Sequence, residues 1–440
     1  MSNLKRRRFR RWLQPGIGIK RWLLLFAVGV ILAALGLTFS WNSRFIGFLE
    51  ESLFFMLYQW TGSYVYMAST FFGLGAVVIG IIAMFYATRK MIAAVATALE
   101  PDGALGIMDV IYERRKLETG PHIVALGGGT GLSVLLRGIK EYTSNISAIV
   151  TVADDGGSSG RLRQDMGIVP PGDIRNCLVA LADTEPIMES LFQYRFHGES
   201  GLAGHSFGNL FIAAMIEVAG GDIEKALVQA NKILRVQGKV IPSTHTSVRL
   251  SAVLENGDFV TGESKIGHSP CPIKEVRIEP SDVTAPEEAI QALKRADVIL
   301  LGPGSLFTSI IPNLLVPGIV ETIRESTAPV IYICNVMTQP GETDHFTALS
   351  HLAALIQYIG EDVIDIIVVN NGVPSDDLLA RYLEEGAEPV LVEKEEIESL
   401  GVRVIEADLI SVDDLVRHDS EKLSKLIRRL VGQVKNWRRG

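Results

Sequence analysis

Cysteine is scarce: Cys177, Cys271 and Cys334 are the only three in 440 residues, far apart and in no CxxC pair. That excludes a disulfide framework and a cysteine-based zinc site, and it fits reduced core thiols in the cytoplasm. No HExxH helix, no cysteine nucleophile elbow and no Ser-His-Asp motif is readable, and no glycine-rich turn is followed by GK[ST]. Zincin and P-loop chemistry are therefore excluded. Internal repeats and low-complexity segments are absent. A basic stripe is also missing. Eight Lys and Arg fall in the first 21 residues; removing them from 42 leaves 34 against 50 Asp and Glu, a net charge of −16. Nucleic acid is excluded as a partner on that ground.

Apolar residues are plentiful, and mean hydropathy is +0.26. The excess is local. Trp22 to Trp41 and Ala68 to Ala87 are near-continuous apolar runs, each about the ~20 residues a helix needs to cross a bilayer. Two transmembrane helices are expected, at about 22–41 and 68–87. Six basic residues lie between Lys5 and Arg11, followed by Lys20 and Arg21, and Arg89-Lys90 closes the second run. The connector 42–69 has Arg44 against Glu50 and Glu51 and is rich in aromatics, among them Phe45, Phe54, Tyr58 and Trp60. The positive-inside rule then puts both ends in the cytoplasm. The expectation is a multi-pass cell-membrane protein with its N-terminus and large C-terminal domain in the cytoplasm. Residues 1–90 form the anchor, 91–120 a juxtamembrane helical connector, and 121–440 a nucleotide-binding domain.

That domain is organised around residues 122–161. An apolar run, His122 to Leu126, enters Gly127-Gly128-Gly129-Thr130-Gly131 and then a helical pattern. A second run, Ile146 to Val152, ends in Ala153-Asp154-Asp155-Gly156-Gly157-Ser158-Ser159-Gly160-Arg161. This reads as strand, glycine turn, helix, strand, acidic loop: the opening βαβ unit of a parallel sheet. Glycine supplies the backbone angles of a strand-to-helix turn, and backbone N–H groups at a helix start suit an anion. Leu132 stands where the GxGxxG fingerprint has its third glycine, so no particular nucleotide is named. Further strands are expected to end at Gly302, Asn335 and Asn370, and 240–280 alternates around Asn256-Gly257 as an antiparallel insert. The fold class expected is α/β: a Rossmann-like open, mainly parallel sheet with helices on both faces and a small antiparallel insert, preceded by two transmembrane helices.

The strand ends would lie along one edge, where ligands bind in doubly wound sheets. The cofactor-binding candidates there are Gly127, Gly128, Gly129, Thr130 and Gly131. Asp154 and Asp155 come some two dozen residues on, where an acidic residue commonly holds a ribose; they are equally candidates for magnesium or for catalysis. Gly156, Gly157, Ser158 and Ser159 offer donors to phosphate, and Arg161 offers a bidentate partner. Asp173 is a helix cap or a ligand, and Arg175 and Asn176 follow it. His205, beside Asn209 in a glycine-flanked loop, is the histidine candidate for catalysis. Gly302, Gly304 and Ser305 repeat the strand-to-glycine-turn device, and Asn335 is placed to read a base or sugar. Leu423 to Arg439 is a basic amphipathic helix, either closing the fold or touching an anionic leaflet.

Six segments in order carry a family resemblance: 127–131, 153–161, 170–176, 204–210, 302–305 and Cys-Asn-Val-Met-Thr-Gln-Pro-Gly-Glu-Thr at 334–343. From 121 to about 435 the chain resembles the YvcK-like gluconeogenesis factors within the CofD-like family. The resemblance implies a Rossmann-like fold and binding of UDP-sugars, notably UDP-N-acetylglucosamine. It also implies a role in cell shape, envelope synthesis and carbon metabolism on gluconeogenic substrates, with envelope-synthesis proteins as partners. The CofD branch moves a phospholactyl-type group from a guanylyl donor, using magnesium, and is the alternative function. An NAD-dependent enzyme is a third reading that rests on the glycine turn and acidic residue alone. A homo-oligomer is left open.

Overall fold

The computed structural model describes residues 19–40, 55, 58, 59, 66–99 and 115–437, apart from 184, 185, 200, 270 and 412–416 in the last range. It forms two compact units, Met1–Arg115 and Lys116–Gly440. In the first, α1 (Ile19–Ser40) packs on α2 (Tyr66–Leu99). Glycines set the spacing. A Cβ on Gly29, Gly36 or Gly80 would come within 2.5–2.8 Å of a carbonyl oxygen on the facing helix. Small residues that let backbones approach this closely are the usual device of helix pairs in lipid. Leu24, Ile31, Phe71, Ile82 and Phe85 are all exposed.

Two expectations change here. Among the described residues, Gly73–Ala94 alone is long and apolar enough to cross a membrane; Arg21–Leu37 is apolar but shorter. The second helix also runs on through residue 90, where the sequence places the end of the anchor, because Ala-rich 91–99 continues it. Most of the aromatic connector 42–65, and 101–114 of the juxtamembrane segment, lie outside the described residues.

The second unit is built on a seven-stranded parallel sheet: β1 (Ile123–Gly127), β2 (Ile146–Val150), β3 (Lys239–Pro242), β7 (Val298–Leu301), β8 (Val330–Ile333), β9 (Ile366–Asn370) and β10 (Arg403–Ala407). Every residue of β1, β7 and β8 is buried. Continuous apolar strands of this kind need cover on both faces, which is why they read as unbroken runs. The strand order is β10-β9-β8-β7-β1-β2-β3. The chain winds outward from β1 to β3, then returns to the other side of β1 and winds away through β10. The switch of direction falls between β1 and β7.

Between β3 and β7 a separate antiparallel sheet forms, β5-β4-β6, from β4 (Arg249–Leu254), β5 (Phe259–Thr261) and β6 (Ile273–Glu279). Gly257 turns the β4–β5 hairpin at φ +89°, as Asn-Gly requires. This is the expected insert. Two elements were not expected. Lys239–Pro242 is the edge strand β3, and the acidic glycine/serine loop is the start of a helix.

The helices that build the site are α3 (Gly129–Ile139), α4 (Gly157–Met166), α5 (Gly172–Leu181), α6 (Phe207–Val218) and the short α7 (Glu263–Ile266). A π-helical turn, Leu306–Ile310, follows β7. Further on come α8 (Asp376–Glu384) and α9 (Ser420–Trp437). The last buries Leu423, Ile427, Leu430 and Val431 and packs on α3, with Ser420 Oγ donating to the Val134 carbonyl at 2.8 Å. Its apolar face closes the fold and is not free for a leaflet.

Candidate functional site

At the switch point two strand-to-helix turns meet. Gly128 is extended and caps α3, and Gly129 takes φ +63°. Across from it, Gly302 turns the end of β7 at φ +79°. A Cβ on Gly131 would stand 2.6 Å from the Pro303 carbonyl oxygen. The turns therefore pack backbone on backbone. Buried Asn313 ties them further, donating to the Gly127 carbonyl at 3.1 Å and the Ser309 carbonyl at 2.8 Å. A cavity of about 420 Å³ opens here, between Gly128–Gly131, Pro303–Ser305 and the segment 335–339 that follows β8. Gln339 donates to Ser305 Oγ at 2.9 Å and accepts from Asn335 Nδ2 at 3.4 Å, linking two expected contact residues.

The cavity wall is acidic: Asp154, Asp173 and Glu263 line it. Burial, and next the charge of Asp154, push the Asp173 carboxyl up to about 7, although it accepts the Gly129 N–H. Asp173 is thus no N-cap of its own helix, whose cap is Pro171. It anchors the glycine turn and already occupies one N–H that a phosphate would use. Burial, with Asp154 and Asp173 close by, pushes Glu263 up to about 8. Glu342 is buried and pushed to about 7 while accepting from Phe307 N at 2.8 Å and Thr308 N at 3.2 Å, holding the first turn after β7. On the far side stand Tyr382, from α8, and Arg417 and His418, from the segment before α9. His418 is neutral: it donates to the Cys334 carbonyl, and burial pushes its pKa down to about 4.

These carboxyl groups fix a pH dependence. All three hold protons in the folded chain at values above their unfolded pKa of about 4. That contribution to stability is complete below about pH 4 and is lost as pH rises through 7 and 8. The melting midpoint of the ligand-free chain should therefore fall from about pH 5 to about pH 8.5, and Glu263→Gln should flatten part of that fall, raising the midpoint by about 2–4 °C at the higher pH alone. Thermal melts of both proteins at the two pH values check this; equal differences at both would overturn it.

A second recess, of about 280 Å³, lies on the other side of Asp154 and Asp173. It receives Gly156, Gly157, Ser158, Ser159, Asn176 and Asn209. Behind it runs a buried polar network. Arg175 Nη1 donates to Ser206 Oγ at 2.7 Å and Asn209 Oδ1 at 3.1 Å, and Nη2 to Asn176 Oδ1 at 2.8 Å. Asn209 Nδ2 reaches Ser158 Oγ at 3.1 Å, and His205 Nδ1 pairs with the same hydroxyl at 3.0 Å. The expected site residues are therefore divided between two neighbouring cavities.

Three expected residues are placed differently. His205 lines neither cavity; burial and the nearby Arg161 hold its pKa down, and its ring locks Ser158. Asp155 accepts from Ser264 N at 2.9 Å and sits against Gly262, so it fastens α7 to the end of β2 instead of facing a ligand. Arg161 is exposed and donates to the Ala203 carbonyl at 2.7 Å. With Asp155 turned away, the expected carboxylate pair for magnesium is broken. Among the described residues no group of three or more His, Cys, Asp or Glu is arranged to hold a metal ion. Glu263, Gln339, Asn313, Tyr382 and Arg417 were not singled out in the sequence. Gln339 lies inside a quoted segment; the others carry no local signal.

A family model described as 2-phospho-L-lactate transferase CofD matches residues 123–410. A putative gluconeogenesis factor from Nostoc sp. is 44% identical over 96% of this chain and 92% of its own length. The gluconeogenesis factor of Bacillus subtilis is 49% identical over 70% of this chain and 97% of its own. The chain belongs to the gluconeogenesis-factor branch of the CofD-like family. A crystal structure of a Bacillus halodurans protein superposes with a TM-score of 0.67 at 50% identity, covering 70% of this chain and 99% of that one. The family thus has two lengths. The Bacillus members match a share the second unit alone would supply, and the Nostoc relative spans nearly the whole chain.

Proposed function

We propose that the cleft between the β1 and β7 turns binds a UDP-sugar, UDP-N-acetylglucosamine in the first place, and that the chain reports this ligand to envelope-synthesis proteins. In that role it regulates cell shape, envelope synthesis and carbon metabolism during gluconeogenic growth. One observation carries the reading: two glycine turns face each other at the switch point across a cavity of about 420 Å³, where doubly wound sheets take nucleotides. Thr130, Gly131, Gly304 and Ser305 meet the diphosphate. Arg417 supplies a cation, Tyr382 a ring, and Asn335 with Gln339 polar contacts to base or sugar. A bare diphosphate facing Asp154, Asp173 and Glu263 would be repelled. The raised pKa values of the last two ease this. Magnesium shared between Asp154 and the ligand's own phosphates would do so too, as that ion needs only one or two carboxylates from a protein.

Calorimetric titration of the full chain in detergent tests the ligand. Saturable UDP-N-acetylglucosamine binding that Arg417→Ala weakens about tenfold is expected, with no heat from NAD. Absence of binding by any uridine nucleotide sinks the reading. The N-terminal unit serves as the membrane anchor in this proposal. Its exposed apolar residues and glycine-spaced pair of helices support it. Cell fractionation decides: the full chain should pellet with membranes, and the chain lacking 1–115 should not.

A second reading is CofD-like group transfer with magnesium and a guanylyl donor. Asp154 and Asp173 standing between two cavities favour it. Turnover of a guanylyl donor that Asp154→Asn abolishes would establish it, and saturable UDP-sugar binding without turnover would set it aside.

A further inference from the structure

We propose that the recess between α4 and α5 is a second ligand site, built for the phosphate or carboxylate group of a small molecule other than the nucleotide in the neighbouring cleft. Arg175 carries the argument. It is 7% exposed, yet forms no ion pair among the described residues. Its hydrogen-bond partners Ser206, Asn209 and Asn176 are all neutral, and its Nε–H has no partner. The charges of Asp173 and Asp154, on the wall of the same recess, act on it without being bonded to it, and a guanidinium removed from water without a bonded counter-charge is costly. It is held here all the same, by three fixed bonds, at the edge of a cavity.

The surroundings agree with an anion. α4 and α5 are ten residues each and both start at the recess, with Gly157 and Gly172 as their first residues. Their first-turn N–H groups and dipoles favour negative charge. Arg195 brings a second guanidinium to the wall, and burial first, then the Arg195 charge, lower the Arg175 pKa. Two cations near each other, with no carboxylate bonded to either among the described residues, is an arrangement that a bound oxyanion would relieve. Gly172 keeps the recess in shape: a Cβ there would collide with Ser159 Oγ and come 2.7 Å from Asp154 Oδ2. Asp154 and Asp173 form the partition, so an anion in the recess and a diphosphate in the cleft are separated by carboxyl groups. The recess therefore takes a different molecule.

The inference rests on the proposed nucleotide reading only for what fills the cleft. The test is a calorimetric titration of inorganic phosphate into the full chain in detergent, alone and with saturating UDP-N-acetylglucosamine, with acetate as the carboxylate arm. One equivalent of phosphate or acetate should still bind when the cleft is full. Arg195→Ala, an exposed position outside the cleft, should weaken that binding about tenfold and leave UDP-N-acetylglucosamine affinity within about twofold. Loss of all anion binding on adding the UDP-sugar, no saturable anion binding at all, or an unchanged Arg195→Ala protein would each overturn the proposal. If the UDP-sugar itself does not bind, the cleft reading fails, and the anion titration of parent and Arg195→Ala still decides the recess.

Discussion

Gly131→Ala should strongly weaken the proposed binding of a nucleotide-sugar. The new methyl group would meet the Pro303 carbonyl oxygen at 2.6 Å, its carbonyl carbon at 2.9 Å and Gly304 N at 3.0 Å. All three are backbone atoms, so no side chain can swing aside. The two turns must part, and the cleft they form loses its floor. Overpacking of this kind costs about 1–3 kcal/mol, which in a unit of this size lowers the melting midpoint by roughly 2–10 °C. The effect on binding is larger than stability alone implies, because the displaced atoms are the ones proposed to meet the diphosphate. A loss of at least about tenfold in UDP-N-acetylglucosamine affinity is expected. Gly201→Ala, which adds a methyl group with no atom within 4 Å, is the control. Equal binding by both variants would refute the cleft assignment.

The second large effect is expected at Glu342. This carboxyl group is 6% exposed and accepts from Phe307 N, Thr308 N and, at 3.4 Å, Thr308 Oγ1. Glu342→Ala strands two buried N–H groups at the start of the turn after β7. Each stranded donor costs about 1–3 kcal/mol, so a loss of about 2–6 kcal/mol and a fall of roughly 5–20 °C in melting midpoint follow. Both N–H groups converge on one carboxylate oxygen, so Glu342→Gln keeps an acceptor for both and should recover most of the loss. The Gln variant also lacks a titrating group, so its deficit should be largest below about pH 7, where the parent carboxyl is protonated and most stabilising. Thermal melts at about pH 5.5 and pH 8.5 measure both effects, and an alanine variant that melts with the parent would show that the turn does not depend on this group.

The parallel sheet was legible because its central strands are buried on both faces and read as unbroken apolar runs, two of which, β1 and β7, run into glycine. The edge strand Lys239–Pro242 was not. It is four residues long, with an exposed lysine and a proline, and neither signals a strand. The helix from Gly157 was hidden by its own composition: Gly-Ser-Ser-Gly disfavours helix, and tertiary contacts through buried Ser158, Ser159 and Leu162 override that preference. The glycine turns were placed correctly, but their neighbours came from far away in the chain. Glu263 reaches the cleft on an insert fastened by a bond between residues 109 apart, and His205 meets Ser158 across 47. Asp155 and Arg161 looked like ligand residues because their types suit phosphate and metal, and type alone does not say which way a side chain points. The basic C-terminal helix was ambiguous for a related reason: a core and a membrane surface ask for the same apolar stripe.

The switch point also shapes how the chain acquires its site. The floor of the cleft joins the carboxyl ends of β1 and β7, and the Asn313 bond that ties them links residues 186 apart. No shorter local segment contains both halves. Closing a loop that long carries a large entropy cost, and such contacts form late and slowly. During synthesis from the N-terminus, the chain has no cleft until β7 has emerged and inserted beside β1, after the whole β2–β3 wing and the antiparallel insert. A ligand bound there bridges the two wings of the sheet at their seam, so its binding energy adds to the stability of the assembled sheet and not to that of either wing alone.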